Sequence, residues 1–146
     1  WRLGYGVFPD WMVDSIERLM VNSNSCTASF TQRAGIEALS GPQDSVVEMR
    51  EAFRKRRDYF IDGLNKIPGI SCRVPKGAFY AFANVSELSI SSRELEIRLL
   101  EEAGVACLAG DGFGEQGQGF IRFSYANSIG NIGEALRRIE DFVKGL

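Results

Sequence analysis

The sequence predicts an α/β fold, a small sheet covered by amphipathic helices, and three features carry that prediction. Five stretches repeat apolar residues near the helical period of 3.6. Short alternating runs of aromatic and aliphatic residues, bounded by Gly and Pro, read as strands. Helical and extended runs then follow one another through the second half of the chain, as in a compact α/β lobe.

Composition narrows the chemistry. The chain has 146 residues, 45% apolar and 25% charged, with a net charge of −2. That is enough for one core or two small lobes, and the charge gives no electrostatic case for nucleic acid or an anionic membrane as partner. No apolar run reaches the length of a membrane span. There is no histidine, which removes Ser-His-Asp and Cys-His nucleophiles and every His-ligated zinc site, so no metal centre is expected. Cys26, Cys72 and Cys107 are odd in number and far apart, form no CxxC pair, and fit a reducing, cytoplasmic setting. Lysine, carboxylate or tyrosine chemistry remains, or a cofactor. The first residue is Trp1 and the chain opens directly on a strand-like run, which leads to the expectation of a piece of a longer protein.

Residues 2–8 alternate as a strand, with Arg2, Gly4 and Gly6 on one face. Two glycines on one strand face leave room for a close approach, so this face suits a phosphate and a flat ring, or else an edge strand with a solvated arginine. Pro9 ends the run and Asp10 is a cap for a helix over 11–22, whose apolar positions are Met12, Val13, Ile16, Leu19 and Met20. Residues 22–27 are small and polar, a loop able to gather hydroxyls and amides around an anion or simply a solvated connector. A helix over 28–39 follows, with Ala28, Ala34, Ile36, Ala38 and Leu39 apolar, and Gly41-Pro42 closes it. The longest helix spans 43–66 with a stripe of Val46, Met49, Phe53, Phe60, Leu64 and Ile67. Its charged face offers the pairs Glu51–Lys55 and Arg54–Asp58, and the acids around Arg54–Arg57 make that cluster a solvated face rather than a nucleic-acid patch.

Beyond Pro68-Gly69 the pattern changes. Residues 70–74 and 78–83 read as two strands of a hairpin joined at Pro75-Lys76-Gly77. Ser91 or Ser92 caps a helix over 92–103 with Leu95, Leu99 and Leu100 inward, and Val105–Ala109 is a short apolar strand. Gly110–Gly119 holds five glycines and reads as the most flexible segment; its spacing is not that of a dinucleotide loop. Asn127 or Ser128 caps a last helix over 129–145 with Ile132, Ala135, Leu136, Ile139 and Phe142 inward.

The strand before that helix, 120–126, organises the functional reading. Alternation puts Phe120, Arg122, Ser124 and Ala126 on one face and Ile121, Phe123 and Tyr125 on the other. A guanidinium among aromatic neighbours is costly to bury unless an anion meets it, and its planar fork suits a carboxylate. On this strand alone, an Asp or Glu of the same protein serves as well as a small acid.

Four stretches, in order, resemble the C-terminal part of the fold-type-I aminotransferases that use pyridoxal phosphate (PLP), class I/II, in their aspartate and aromatic aminotransferase branch. They are Trp1-Arg2-Leu3-Gly4-Tyr5, Gln32 to Leu39, Pro75-Lys76-Gly77-Ala78-Phe79-Tyr80, and Gly112-Phe113-Gly114 followed by Phe120–Ala126. The resemblance implies that residues 1–42 are a remnant of the PLP-binding large domain and 43–146 the connecting helix and C-terminal small domain, with a mixed or antiparallel sheet. It implies transfer of an amino group between an amino acid and a 2-oxo acid, with Arg2 on the PLP phosphate and Arg122 on the substrate α-carboxylate. Gly112 and Phe113 fall in the segment that lines the substrate side, without an assigned chemistry.

The family's Schiff-base lysine precedes its Trp-Arg pair, and Lys55, Lys66, Lys76 and Lys144 lie outside that signature. The chain by itself is therefore expected to be inactive and not to hold PLP covalently, the parent being the enzyme. The resemblance further implies a homodimer, with the 22–27 loop reaching towards the neighbouring subunit. The shared scaffold also admits a C–S lyase, a cyclopropane-carboxylate synthase, or an aminotransferase-like effector domain of a transcription regulator.

Overall fold

A computed structural model describes all residues, 1–146, and the chain divides into two compact units, Trp1–Val47 and Glu48–Leu146. The helices are α1 (Asp10–Asn24), α2 (Ser29–Ser40), α3 (Asp44–Leu64), α4 (Ser92–Glu101) and α5 (Ile129–Lys144). The strands are β1 (Tyr80–Asn84), β2 (Leu108–Ala109) and β3 (Phe120–Ser124). The division between units falls within the first turns of α3.

The first unit is helical. The strand expected over 2–8 does not form: residues 1–9 take no regular structure. A strand needs a partner for its N–H and C=O groups, and this unit holds no sheet to supply one. The segment packs through side chains instead. Trp1 meets Phe30 of α2 edge-on at 6.0 Å, and Gly35 of α2 is bare where Leu3 lies. Pro9, not Asp10, occupies the cap position of α1; Asp10 is the first helical residue, where its charge still favours the helix N-terminus. Only Met12 and Ile16 of the predicted α1 stripe are partly covered, while Val13, Leu19 and Met20 are exposed. In α2 the covered positions are Thr31 and Gly35, not Ile36 and Leu39.

The second unit is built on the sheet, with strand order β1-β3-β2 and both pairings antiparallel. Its core face alternates in size. Ile121 on the central strand lies between Ala83 of β1 and Ala109 of β2, and Phe123 pairs with Ala81. Large side chains at the centre and alanines at the edges leave room for α3, α4 and α5 to pack down. Phe60, Ile61 and Leu64 of α3, Leu95 and Leu99 of α4, and Ile132 and Ile139 of α5 join Ile121 and Phe123 in one buried cluster. Phe60 meets Phe123 edge-on at 5.7 Å. Leu100, expected inward, is exposed, and so are Val46 and Met49 at the start of α3.

Local signals place the helix starts well. Ser91 Oγ accepts from Glu94 N–H and Ser128 Oγ accepts from Asn131 N–H, one capping bond for each helix. The charged pairs on α3 differ from the expected ones. Arg54 reaches back to Glu51 at 3.1 Å, as helical side chains lean towards the N-terminus, and Arg57 meets its immediate neighbour Asp58 at 2.7 Å. The hairpin of 70–74 with 78–83 reduces to a single bridge between Ser71 and Asn84. Asn65 occupies the next backbone positions in its place, accepting from Cys72 N–H and donating to the Cys72 carbonyl. Strand structure near 105–109 is confined to Leu108–Ala109.

Tyr125, just past β3, ties the Pro75–Ala78 turn to the sheet. Its N–H donates to the Phe79 carbonyl and its hydroxyl to the Ala78 carbonyl, both at 3.0 Å. Ala78 holds a left-handed backbone, φ 58°, which these bonds help to fix. Burial pushes the Tyr125 phenol above its ordinary value. The neutral form is therefore favoured by folding, so this contribution is complete below the unfolded tyrosine value of about 10 and is lost as pH rises through the higher folded value. Tyr125→Phe is expected to cost about 1 kcal/mol at neutral pH through the lost hydrogen bond and to flatten the alkaline loss of stability. Urea midpoints followed by circular dichroism from pH 7 to pH 11 check both effects.

Candidate functional site

Each of the two arginines singled out by the sequence is at least partly open to solvent. Arg2 is exposed, in the first unit. Its neighbours Trp1 and Leu3 are turned to α2, and Arg2 itself lines a cavity of about 350 Å³ with Met20, Asn24, Ser25, Cys26 and Thr27. This is the small polar loop of the sequence, shortened by α1 continuing to Asn24. Arg2 and Ser25 both adopt the left-handed backbone region, φ 64° and 63°. That conformation is unfavourable for residues with a side chain, and its occurrence twice around one cavity marks the place as one of stored strain. Arg2 takes no part in the ion pairs of the chain.

Arg122 is half-buried in the second unit, on the sheet face that no core residue shares. The alternation expected from the sequence holds along β3: Ile121 and Phe123 are buried, while Phe120 and Arg122 are half-covered and Ser124 exposed. Arg122 lies opposite Phe82 of β1 and Leu108 of β2. Its guanidinium carbon stands 4.4 Å from the ring centre of Tyr80 and 4.8 Å from that of Phe113. No Asp or Glu of the chain forms an ion pair with it, so the self-paired reading of this arginine is not the arrangement seen. What surrounds Arg122 is aromatic, and its donors are available to an oxyanion from outside.

The glycine-rich segment beside this face is more ordered than its composition suggests. It forms two 3-10 turns, Gly110–Phe113 and Glu115–Gly117. The backbones of Gly110 and Gly117 meet so closely that a methyl group on either would overlap the carbonyl of the other. Ser92 Oγ donates to Asp111 at 2.9 Å, fastening the turn to the start of α4. The glycines here allow close packing, and they deliver Phe113 to the sheet face.

Sequence reasoning missed the partners of Arg122. The sequence places Phe113 on the substrate side only through the resemblance, and it gives Tyr80 and Phe82 no role beside Arg122. A signal was present: Tyr80 and Phe82 alternate with Ala81 and Ala83, which assigns both rings to one face. The register that sets Phe82 against Arg122 was not readable. Burial pushes the Cys107 thiol up to about 12 and raises Cys72 as well, which disfavours the thiolate in both.

Known proteins are similar to this chain in sequence and in fold. The sequence is 40% identical over 147 residues to an aspartate aminotransferase of Pyrococcus horikoshii, covering 99% of the chain and 38% of that protein. Among solved structures, an alanine aminotransferase from Pyrococcus furiosus matches with a TM-score of 0.85 at 36% identity, over 91% of this chain and 34% of that one. An aromatic aminotransferase from Pyrococcus horikoshii matches with a TM-score of 0.87 at 32% identity, over 94% of this chain and 37% of that one. The chain thus spans little more than a third of the length of these relatives. The mixed helices and small antiparallel sheet are those of PLP-dependent aminotransferases. The family described as aminotransferase class I and II matches residues 1–139, nearly the whole chain, and the chain belongs to that family.

Proposed function

We propose that this chain is part of an enzyme that moves an amino group between an amino acid and a 2-oxo acid, with PLP as cofactor. The observation that carries the reading is Arg122: a half-buried guanidinium without a carboxylate partner of its own, on the face of a small sheet, in a family of aminotransferases. In this reading Arg122 holds the substrate α-carboxylate by two parallel hydrogen bonds and so fixes which bond at the α-carbon faces the cofactor. Residues 1–42 are read as the remnant of the large domain and 43–146 as the connecting helix and small domain, in a cytoplasmic homodimer.

The residues present fit the cofactor's phosphate. Arg2 brings a positive charge to a cavity whose other walls include Asn24, Ser25 and Thr27, a donor set suited to a phosphate dianion. When bound, PLP supplies an electron sink for the pair left when the α-carbon loses its proton. The proton itself needs a base, and Lys55, Lys66, Lys76 and Lys144 all lie outside the signature that carries the family's Schiff-base lysine, which the resemblance places before the Trp-Arg pair. On that resemblance we assign the base to another part of the full protein, and expect residues 1–146 alone to be inactive.

The test is transfer of label. The full protein with PLP is given ¹⁵N-labelled aspartate, alanine or phenylalanine and a 2-oxo acid. Label recovered in a new amino acid is the expected result, and it begins to name the substrate. Free ammonia with a cleaved side chain would instead mark a lyase, and no turnover with PLP retained would mark an effector-sensing domain. Replacing Arg2 separates the cofactor role: Arg2→Ala is expected to weaken PLP retention on dialysis about 10- to 100-fold, the worth of charge-assisted hydrogen bonds. Unchanged retention would remove Arg2 from that role.

A further inference from the structure

Arg122 is held by rings rather than by acids, and the rings come from two separate elements. Tyr80 reaches it from β1, where it stands diagonal to Arg122, since the register sets Phe82 directly opposite. Phe113 reaches it from the turn Gly110–Phe113. Phe113 in turn rests edge-on against Phe82, with ring centres 6.1 Å apart and planes at 87°. Phe82 stacks on Phe120 at 5.0 Å with planes 7° apart. Phe120, Phe82 and Phe113 therefore form a connected row that reaches the guanidinium, and Tyr80, packed on Phe79 at 4.5 Å, meets it separately. Nor is the turn that bears Phe113 loose, as the apposed Gly110 and Gly117 and the Ser92–Asp111 bond fasten it.

The physical consequence concerns orientation. A ring face attracts a guanidinium through its quadrupole, and the central carbon of Arg122 lies 4.4 and 4.8 Å from two ring centres. The N–H donors lie at the edge of the guanidinium and have no acceptor in the chain. A carboxylate needs that edge, with two donors side by side. A free arginine side chain samples many rotamers, and gripping a carboxylate freezes them; rings that restrict the side chain beforehand remove this cost from binding. Rings this close to the cation also displace water from part of its surroundings, which strengthens the bond to an incoming anion.

We propose that Tyr80 and Phe113 are positioning residues for Arg122, holding its guanidinium so that the donor edge is presented to a substrate carboxylate. The proposal rests on the reading of Arg122 as the carboxylate grip. It assigns to the two rings an effect on affinity that operates through Arg122 and not through contact with the reacting atoms. It also makes the ring, and not the Tyr80 hydroxyl, the working part, because the hydroxyl forms no bond to Arg122.

The experiment uses the full protein and two readouts: steady-state kinetics, and equilibrium binding of propanoate, a bare carboxylate probe, by calorimetry. Phe113→Leu and Tyr80→Leu are each expected to raise the amino-acid KM and the propanoate Kd about 3- to 10-fold, with kcat within about 2-fold. Tyr80→Phe, which keeps the ring, is expected to match the wild type in both. Phe113 is 54% exposed, so its replacement is tolerated by the fold, and thermal midpoints of all variants identify any that unfold. For Tyr80→Leu, recovery by Tyr80→Phe separates the ring's effect from general damage to β1. Unchanged KM and Kd in Phe113→Leu and Tyr80→Leu, with Arg122→Ala still impaired, would overturn the positioning role and leave the carboxylate grip standing. Unchanged values in Arg122→Ala would overturn the grip itself, and the positioning role with it.

Discussion

Arg122→Ala in the full protein is expected to raise the amino-acid KM about 100- to 1000-fold while PLP retention stays near that of the wild type. The size follows from what is lost. A carboxylate held by a guanidinium fork keeps two charge-assisted hydrogen bonds, and removing the fork leaves the carboxylate facing Tyr80, Phe82 and Phe113, which offer it no comparable donor. Selectivity between KM and cofactor retention distinguishes this outcome from general damage, because Arg2 and Arg122 belong to different compact units. Arg122→Lys is expected to recover only part of the loss, since an ammonium is a point charge and cannot match two oxygens in one plane. Kinetics with one amino acid and dialysis against PLP-free buffer provide both measurements. An unchanged KM would show that the guanidinium serves something other than the substrate.

Ile121→Ala is the second large effect, and it is one of stability. Ile121 is fully buried next to Arg122 in sequence, on the opposite face of β3. Its neighbours across the sheet are Ala83 and Ala109 on either side. Those two methyl groups cannot spread into the space an isoleucine vacates, and Leu64, Leu95, Leu99 and Ile139 of the same buried cluster belong to helices held by further core residues. A residual cavity is expected, with a loss of about 2–5 kcal/mol, against about 0.5–1.5 kcal/mol for Ile121→Val. Hydrogen exchange at the amides of β3 is the suitable measurement. The two tryptophans, Trp1 and Trp11, both lie in the first unit, so their fluorescence does not report on this core. Equal losses for the alanine and valine variants would mean that the sheet closes over the gap.

How much was legible in the sequence depends on how far each signal has to reach. Helix α4 and helix α5 were placed nearly to the residue because their information is local: a serine at each cap, and apolar residues at the helical period. The two faces of β3 were also local, since alternation alone sends Ile121 and Phe123 inward and Arg122 outward. The four stretches that resemble class I/II aminotransferases carried the family, and the match over residues 1–139 agrees. By itself, then, the sequence determined the helices, the inward and outward faces of the key strand, the family, and the identity of Arg122 as the residue to watch.

Only the tertiary structure decided the rest, because the rest depends on partners distant in the chain. Residues 2–8 alternate as well as any strand but have nothing to pair with, and 70–74 finds only the single bridge from Ser71 to Asn84. The glycines of 110–119 predict looseness when read alone; packed together, Gly110 and Gly117 need to be glycine for the opposite reason, to let two backbones touch. The surroundings of Arg122 are the clearest case. Its neighbours Tyr80 and Phe113 stand 42 and 9 positions earlier in the sequence (122 − 80 and 122 − 113). Strand register and the course of a turn bring them to it, and neither is encoded in the spacing of β3 itself.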